Sequence, residues 1–251
     1  MASGSSGKLM AVEIYSYNQS LDTFTPCHSI ITVELSPFAN GGMRQAHHGY
    51  RHSDFQKVVI KRDLQGDNNR TDAENDVRMQ HRCQDLASQY NQNPATTKKI
   101  KFVEAFLIEF NGGPWAGEFA VMEPFLEGSY VKHSRNVPAG RPMTPRVTPQ
   151  AFSHFTYHIT GGQELVCDIQ GVNNDYTDPQ IHTNPLTSRY GKGNFGPMGI
   201  HIFLKDHHCN SMCKALGLPR TNPSNPDFDF EGGTVPNYFA VLLQRVRMVI
   251  Y

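Results

Sequence analysis

The apolar residues in the first half of the chain cluster in short runs rich in β-branched residues. These runs predict strands at Ile30–Leu35 and Lys57–Lys61, and two further strands at Phe102–Phe110 and Glu118–Phe125. Between them, the polar segment Thr71–Tyr90 carries apolar residues at irregular helical spacing, which predicts a mostly exposed helix. We therefore expect a small β-rich lobe with one helix in this half.

The second half of the chain predicts short helices separated by loops. Asn136–Pro149 is rich in proline and arginine, lacks apolar periodicity and predicts a loop crossing between lobes. Thr148 is expected to cap the next helix, with Pro149 in its first turn. Leu165–Ile169 predicts a short strand, and a long segment that is mostly loop follows; ordered loops of that length are usually functional. A last helix is expected over Gly199–Leu216.

The two ends of the chain stand apart from this pattern. Residues 1–7, MASGSSG, resemble a linker left by recombinant expression, so the domain is expected over residues 8–218. In the tail, residues 219–251, Pro219–Gly233 predicts coil, and apolar residues between 239 and 250 recur at helical spacing. That stretch predicts a helix which either docks on its own domain or binds a partner. We assign the tail no function.

Composition excludes several classes of function. The chain has 23 basic and 23 acidic residues, so no overall charge favours binding to nucleic acid or to an anionic membrane. No apolar run approaches the ~20 residues of a membrane-spanning helix, and the start lacks a signal-peptide core. Of five cysteines only two are clustered, which favours reduced thiols and a metal site over a disulfide framework. We therefore expect a soluble, cytoplasmic protein.

A cluster of histidine and cysteine near residue 210 has the spacing of metal ligands. His207, Cys209 and Cys213 form H-x-C-x-x-x-C, and the two cysteines are expected to share one helix face, where their thiolates can converge on zinc. A closed structural site needs a fourth ligand, for which His154 on the preceding helix is the candidate. His208 competes with His207, which would have to lie at a bend. The alternative is that both cysteines are apolar packing residues.

Two glycine-rich segments are candidates for phosphate-binding loops. The glycine pair in Phe38–Ala46 predicts a hairpin turn. Gly191, Gly193, Gly196 and Gly199 match G-x-G-x-x-G, yet no strand runs into the motif and no second parallel strand follows, so we reject a dinucleotide site. The second loop is either a flexible turn or a source of backbone N–H groups for an anion or a substrate chain.

Three polar residues suggest phosphoryl transfer when they are taken with a lysine. Asp168 is expected to end a strand, and Gln170 follows two residues later, so both side chains can reach one hard cation through oxygen. Asp178 lies in a loop and can reach a substrate hydroxyl. Taken singly, either aspartate is as well explained by a turn or by solvation. With Lys61 at the end of a strand, the set supplies a phosphate-pairing lysine, magnesium ligands and a hydroxyl-positioning acid.

A conventional protein kinase is excluded by its missing motifs. The chain has neither H-R-D nor D-F-G, and its G-x-G-x-x-G lies near the C-terminal end rather than before the lysine.

Several segments together resemble the alpha-kinases, a family that includes the myosin heavy chain kinases and elongation factor 2 kinase. The strongest matches are TPQAFSHFTY, DIQGV, YTDPQIHT, GKGNFGPMGI and HHCNSMC; weaker ones are GGMRQAHH, VVIKR, DVRMQ and MEPFLEGSYVKHSRN. They cover about residues 30 to 218 in order. The resemblance implies an α+β, two-lobed, protein-kinase-like fold with ATP between the lobes. The N-lobe would span about 8–125, and the C-lobe, about 126–218, would contain a zinc site.

The resemblance also assigns roles to residues. Lys61 and Arg44 would contact the phosphates of ATP, Glu123 and the hinge backbone after it would contact adenine, and Asp76 would lie nearby. In the C-lobe, Asp168 and Gln170 would hold magnesium, and Asp178 would orient or deprotonate the substrate hydroxyl. The loop Gly191–Gly199 would place the substrate peptide. A structural zinc ion would be bound by His154, His207, Cys209 and Cys213. This set favours His207 over His208.

The expected function is therefore a magnesium-dependent, ATP-using serine/threonine protein kinase with threonine favoured. Its substrate would be a protein such as a myosin heavy chain tail or a translation elongation factor. An inactive kinase-like module that binds nucleotide and zinc is the rival, and the filled positions Lys61, Asp168, Gln170 and Asp178 argue against it. A zinc hydrolase would need an open coordination position, whereas four protein ligands close the site. Two departures from the family pattern, KHSRN at 132–136 and Pro197, bear on peptide preference.

Overall fold

The computed structural model describes residues 7–66, 68–137 and 142–221. The strands are β1 Lys8–Asn18, β2 Thr23–Val33, β3 Ala39–Asn40, β4 Arg44–Arg51, β5 Gln56–Asp63, β6 Lys101–Phe102, β7 Phe106–Phe110, β8 Phe119–Pro124, β9 Tyr130–Lys132, β10 Glu164–Cys167, β11 Gln170–Val172, β12 Asp175–Thr177 and β13 Gln180–Thr183. The helices are α1 Arg70–Gln92, α2 Val147–Ile159, α3 Gly196–Asp206 and α4 Ser211–Ala215, with one 3-10 turn at Gly113–Trp115.

These elements form two compact units that are interleaved along the chain. Unit 1 contains residues up to 82 together with 103–127, and unit 2 contains residues 83–102 together with those from 128 onward. The first division lies inside α1, and the second lies close to the lobe boundary expected near residue 125. The segment 83–102 therefore belongs with the second half of the chain.

Unit 1 is built on an antiparallel sheet in the order β2-β1-β7-β8-β5-β4-β3. Residues Ile31–Val33 of β2 also pair with β4, so six of the strands close into a barrel. Val58, Ile60 and Met122 belong to the apolar cluster that fills it. Because successive strand residues point to opposite faces, Lys61, next to Ile60, lies on the outer face.

The outer face of the barrel packs against α1. Tyr15, Leu107 and Val121 from three neighbouring strands form one buried cluster with Ala73 and Val77 of the helix. The two helix residues are four positions apart and so lie on the same helix face. This contact fixes the start of α1 on the barrel.

Unit 2 combines short strands with α2, α3, α4 and the C-terminal part of α1. Its sheets have the orders β6-β12-β11-β9 and β10-β13, and α2 packs against β10 and α4. Four aromatic side chains are fully buried in its core: Tyr90, Phe102, Phe152 and Tyr176. Tyr90 contacts Phe152, Phe152 contacts Phe102, and Phe102 contacts Tyr176. None of the described helices has the length and apolar character needed to cross a bilayer.

Most predicted elements of unit 1 are present with shifted bounds. Lys61 lies inside β5 rather than at the end of a strand, and the strand predicted at Phe102–Phe110 is divided into β6 and β7. Strand β1 was not predicted. Helix α1 is present, but the expectation that it is mostly exposed is wrong: among residues 71–90 only Thr71 is exposed, and the others are buried or half-buried. The glycine pair does form the turn of a hairpin, because β3 pairs with β4 across it.

The predictions for unit 2 need larger corrections. The segment after Ile169, expected to be mostly loop, contains three short strands near its start: β11 pairs with β12, and β13 pairs with β10. Arg146 rather than Thr148 occupies the N-cap position of α2, and no side chain caps that helix. The helix predicted at Gly199–Leu216 is two helices, α3 and α4, separated by a bend. The coil and helix predicted in the tail lie, from residue 222, outside the described residues, as does part of the predicted crossing loop, residues 138–141.

Candidate active site and metal centre

Lys61 and Glu123 form a buried ion pair on the outer face of the barrel. Lys61 pairs with Val121 in the sheet and Glu123 pairs with Val59, so the two charged residues are diagonal neighbours on β5 and β8. The Lys61 Nζ lies 2.9 Å from the Glu123 Oε2, and the side chains are 12% and 5% exposed. Removing either partner would deprive the other buried charge of this compensation. The carboxylate therefore holds the ammonium at a fixed place on this face.

Arg44 connects two strands to the helix. Its Nη1 donates to the Asp63 Oδ2 at 2.7 Å, and its Nε and Nη2 donate to the Asp76 Oδ2 at 3.0 and 2.6 Å. A guanidinium shared by two carboxylates is held in one orientation. Contacts of Arg44 with ATP phosphates, and of Asp76 near adenine, remain predictions; the structure places these two residues against each other.

The residues predicted to hold magnesium and the substrate hydroxyl are brought together in unit 2. Strand β10 ends at Cys167, so Asp168 follows the strand instead of ending it. Gln170 donates through its Nε2 to the backbone carbonyls of Asp168 at 3.2 Å and Asp178 at 3.1 Å. Both aspartates have left-handed φ angles, 54° and 53°, a conformation uncommon outside glycine that recurs at functional sites. One amide thus joins the two turns that carry the acids.

Lys132 is a further member of this group that sequence reasoning did not identify as a partner. Strand β9 pairs with β11 so that Lys132 lies opposite Gln170, and its Nζ is 2.6 Å from the Asp168 Oδ1. Burial raises the pKa of the Asp168 carboxyl to about 6, against the lowering effect of Lys132, and the charge of Asp178 adds to the rise. A carboxylate whose charge is disfavoured by burial gains from a bound cation, so this oxygen-rich group fits magnesium.

The loop Gly191–Gly199 is packed tightly against β13. A Cβ atom on Gly193 would lie 2.0 Å from the Gln180 Oε1, and one on Gly199 would lie 2.3 Å from the ring of His182. Such contacts leave no space for a larger residue. The interpretation of this loop as a merely flexible turn is therefore wrong.

The remaining features of the loop serve its turn and the start of α3. Gly191 and Gly196 have left-handed φ angles of 70° and 59°. Pro197 occupies the first turn of α3, where the missing amide hydrogen costs little because no helical acceptor is available to it.

His182 is a second residue that sequence reasoning missed. Its Nε2 donates to the Asn136 carbonyl at 2.7 Å, and its Nδ1 accepts from the Phe195 amide at 3.1 Å, which together define the neutral tautomer. Burial lowers the pKa of this fully buried ring to about 4. The ring therefore joins β13, the segment 132–136 and the glycine loop. The sequence showed His182 only as one letter of YTDPQIHT, without a sign of these partners.

The predicted zinc ligands converge in unit 2. His154, His207, Cys209 and Cys213 each offer one ligand atom, and all four atoms lie within 4.8 Å of one another. The Cys209 Sγ is 3.7 Å from the His154 Nδ1, and the Cys213 Sγ is 3.5 Å from the His207 Nε2. In a tetrahedral zinc site with Zn–S of ~2.3 Å and Zn–N of ~2.0 Å, neighbouring sulfur and nitrogen ligands are about 3.5 Å apart. The donor set and its spacing both fit zinc.

The two cysteines do not share a helix face, contrary to expectation. Cys209 precedes Asn210, the N-cap residue of α4, and only Cys213 lies within that helix. Cys209 instead reaches the cluster from the turn, because the chain bends at His207, the C-cap of α3 with an extended ψ of 124°. His208 is exposed and does not belong to the cluster.

The two histidines of the cluster are in the form that binds a metal. Burial lowers the pKa of His154 and of His207 to about 4, so both rings are neutral at neutral pH. A neutral imidazole has a lone pair available for a cation.

Comparison with known proteins places the chain among kinases. The sequence profile of the Alpha-kinase family matches residues 39–213. Alpha-protein kinase 1 of Dictyostelium discoideum is 39% identical over 229 residues, which are 88% of this chain and 16% of that protein. Eukaryotic elongation factor 2 kinase of Homo sapiens is 34% identical over 211 residues, 80% of this chain and 29% of that protein. The chain thus spans less than a third of the length of these relatives.

Solved structures of the same kind share the fold. A truncated alpha-kinase domain of myosin heavy chain kinase has a TM-score of 0.77 and 29% identity, covering 85% of this chain and 99% of that one. The alpha-kinase domain of myosin-II heavy chain kinase A with AMP-PNP has a TM-score of 0.77 and 30% identity, covering 87% and 98%. The same domain was also crystallised with ADP and with adenosine. Two inactive forms, each with one aspartate replaced by alanine, were crystallised with ATP. Since the family profile covers more than half of its residues, this chain belongs to the alpha-kinase family.

Proposed function

We propose that this domain transfers the γ-phosphoryl group of ATP to a threonine or serine of a protein, with threonine favoured. The observation that carries the proposal is the assembly of Asp168, Gln170 and Asp178 around one side-chain amide. Further support comes from the two inactive forms of the related kinase. Their replaced aspartates are ten positions apart in that protein, which is also the separation of Asp168 and Asp178 here (178 − 168 = 10).

The nucleotide contacts proposed for unit 1 centre on the Lys61–Glu123 pair. Lys61 is proposed to donate to phosphate oxygens, since an ammonium held in place by a buried carboxylate needs no reorganisation to do so. Arg44 is proposed as a second phosphate contact, held in position by Asp63 and Asp76. The backbone after Glu123 is proposed to recognise the adenine edge.

Asp168 and Gln170 are the proposed magnesium ligands. Carboxylate and amide oxygens are hard donors of the kind that magnesium prefers. When bound, the ion neutralises charge on the phosphate oxygens. Lys132 would hold the Asp168 carboxylate in place until the cation arrives, because its Nζ lies 2.6 Å from the Asp168 Oδ1.

Asp178 is proposed to orient the substrate hydroxyl and accept its proton. The residue is exposed, and its backbone carbonyl is tied to Gln170, so the carboxylate is accessible on a fixed turn. Two residues later, Gln180 donates to the Tyr190 carbonyl at the start of the glycine loop. We propose that the loop Gly191–Gly199 places the substrate peptide, and its connection to β13 keeps it in register with Asp178.

Zinc is proposed as a structural ion. Four protein ligands leave no open coordination position for an activated water, which disfavours hydrolase chemistry. His154 lies on α2 and is 55 residues from Cys209, so a shared metal would cross-link distant parts of unit 2. The five free cysteines are consistent with our proposal of a cytoplasmic location.

The substrate class is proposed from the relatives. Curated relatives include myosin heavy chain kinase C of Dictyostelium discoideum and eukaryotic elongation factor 2 kinase of Homo sapiens. A myosin heavy chain tail or a translation elongation factor is therefore the proposed protein substrate.

The proposal is tested by Asp178→Asn with Asp175→Asn as its matched control. Asp175 is an exposed aspartate on the neighbouring β12, so its loss should not affect the reaction. Transfer of labelled phosphate from ATP to threonine peptides should fall by roughly 10²–10⁴-fold in Asp178→Asn, while ATP affinity measured by calorimetry stays unchanged. The same peptides with serine in place of threonine should be weaker substrates.

Two results would overturn this assignment. One is transfer by Asp178→Asn at the wild-type rate. The other is a wild-type domain that binds ATP and magnesium yet phosphorylates no peptide on an array of threonine and serine sequences, as an inactive module would.

A further inference from the structure

A short stretch of unit 2, Arg189–Lys192, overlaps the start of the loop Gly191–Gly199, and we call it the basic turn. Its two charged side chains, Arg189 and Lys192, are exposed, whereas Tyr190 between them is buried. Residues 179–205, which include the whole loop, contain three basic residues and no acidic one. The segment that directly follows Asp178 in the sequence therefore carries a net positive charge.

Hydrogen bonds to two strands hold the basic turn in place. The Tyr190 hydroxyl donates to the Glu164 Oε1 on β10 at 2.8 Å, and the Tyr190 carbonyl accepts from the Gln180 Nε2 on β13 at 3.1 Å. Asn194, which is buried, donates through its Nδ2 to the Thr183 Oγ1 at 2.9 Å, at the other end of β13. The turn therefore presents its two charges from a fixed backbone, and a preorganised surface loses less conformational entropy when a ligand binds to it.

Strand β13 connects the basic turn to Asp178. Gln180, whose side chain binds the Tyr190 carbonyl, lies only two residues after Asp178. Two extended residues span ~6.6 Å and one glutamine side chain covers the rest, so the turn is on the order of 10 Å from the backbone of Asp178. An extended peptide advances ~3.3 Å per residue, so this separation corresponds to about three residues of a substrate chain. A peptide whose threonine meets Asp178 can thus bring a neighbouring side chain to the basic turn.

We infer that the basic turn selects protein substrates with an aspartate or glutamate about three residues from the target threonine, with Arg189 and Lys192 as specificity-determining residues. The inference rests on the proposed function, to which it adds the chemical class of the flanking side chain. A guanidinium binds a carboxylate through two parallel hydrogen bonds, and an ammonium attracts it as a point charge. A basic side chain at the same position of the substrate would meet like charge, so the turn also excludes such sequences.

Threonine peptides with glutamate, alanine or lysine at single flanking positions test the inference. The measured quantity is the kcat/KM of the glutamate peptide divided by that of the lysine peptide, because this ratio cancels differences in the amount of active protein. At one position the wild-type ratio should be about ten, since attraction and repulsion at exposed charges are each worth up to roughly fivefold. In the double variant Arg189→Glu/Lys192→Glu the ratio should fall below one. Lys214→Glu/Arg220→Glu makes the same change in net charge at two other exposed residues and should keep the wild-type ratio.

Kinetics and salt provide the second readout. Because the ion pairs act equally in the ground state and in the transition state, the preference of the wild-type domain should lie in the KM for the peptide and not in kcat. It should also disappear near 1 M salt, where the screening length falls to ~3 Å.

The failure of this inference is distinguishable from the failure of the proposed function. A wild-type domain that phosphorylates the glutamate and lysine peptides equally, or prefers lysine, would overturn the inference and leave the kinase proposal intact. An unchanged ratio in Arg189→Glu/Lys192→Glu would also overturn it, since the preference would then arise elsewhere on the domain. A wild-type domain that phosphorylates no peptide would refute the proposed function, and the inference with it.

Discussion

Replacing Asp168 by asparagine is expected to stabilise the magnesium-free domain while abolishing its activity. Burial raises the pKa of this carboxyl from its ordinary value of 3.8 to about 6, even with Lys132 beside it. The difference of 2.2 pKa units (6 − 3.8), at about 1.36 kcal/mol each, corresponds to about 3 kcal/mol by which folding opposes the charge. Asparagine has nearly the same shape without the charge. The free energy of unfolding at neutral pH should therefore rise by up to about 3 kcal/mol.

The sign and the pH range of this gain follow from the two pKa values. The folded pKa lies above the unfolded one, so the unfolded chain releases its proton first as the pH rises. Below 3.8 the carboxyl is neutral in both states and costs nothing. Between 3.8 and about 6 the wild-type domain loses stability with rising pH, and above about 6 the loss is complete. The advantage of Asp168→Asn should therefore be full at pH ~8 and roughly half as large at pH ~5.

Urea unfolding followed by circular dichroism checks this prediction. The buffers contain no magnesium and no chelator, because a chelator would also remove a metal from the histidine and cysteine cluster. Asp175→Asn is the control: its side chain is exposed, so the change should stay within about 0.5 kcal/mol. If Asp168→Asn unfolded at or below the wild-type urea midpoint at pH ~8, the reasoning that this buried charge is a cost to the fold would be refuted.

Three further predictions concern the surroundings of the site. Lys132→Met removes the ammonium group 2.6 Å from the Asp168 Oδ1, so the pKa of that carboxyl should rise further. The acidic limb of the pH profile of kcat/KM should then move up by about 1–3 pH units. An unmoved limb would contradict the ion pair between Lys132 and Asp168. Cys213→Ala should lose bound zinc in elemental analysis and melt at a lower temperature, and an equally stable metal-free variant would exclude a structural zinc. Gly199→Ala forces a Cβ to 2.3 Å from the His182 ring and should lower the unfolding free energy by about 1–3 kcal/mol in urea; an unchanged midpoint would show that the ring can move.

Two substitutions serve as controls for this set. His208→Ala, in the exposed residue next to the cluster, should retain zinc. Gly112→Ala should unfold like wild type, because its Cβ meets nothing within 4 Å and its φ of −169° suits any residue.

Local patterns predicted the elements of the fold better than their pairing. The run at β5 was recognisable because three β-branched residues follow one another there, and the run at β8 because Phe119–Met122 is continuously apolar. Strand β1 contains Met10, Val12 and Ile14 as alternating buried residues, but Leu9, Ala11 and Tyr15 beside them are apolar too and obscure the period of two in the sequence. The closure of the barrel by β2 and β4 depends on contacts between separate hairpins, and no local pattern encodes these.

In the candidate site, too, residues close in the sequence were predictable, whereas contacts between distant segments were not. Three zinc ligands lie within seven residues, so their spacing was informative, and the resemblance to the alpha-kinases supported the fourth. The contact of Lys132 with Asp168 arises from the pairing of β9 with β11, and the contacts of His182 arise from three separate segments. Such partners become apparent only when the strands are placed together.

The interleaved units have a consequence for biosynthesis and for protein engineering. A ribosome delivers Cys83–Phe102, which supplies Tyr90 and Phe102 to the aromatic core of unit 2, before it delivers the strands Phe106–Phe110 and Phe119–Pro124 that complete the barrel of unit 1. Neither unit is encoded by one continuous stretch of codons. A gene fragment that begins at Gly128 would lack part of the core of unit 2, and no single cut in the gene yields both units complete. A chimera that exchanges one unit with a relative must therefore exchange two segments of the chain.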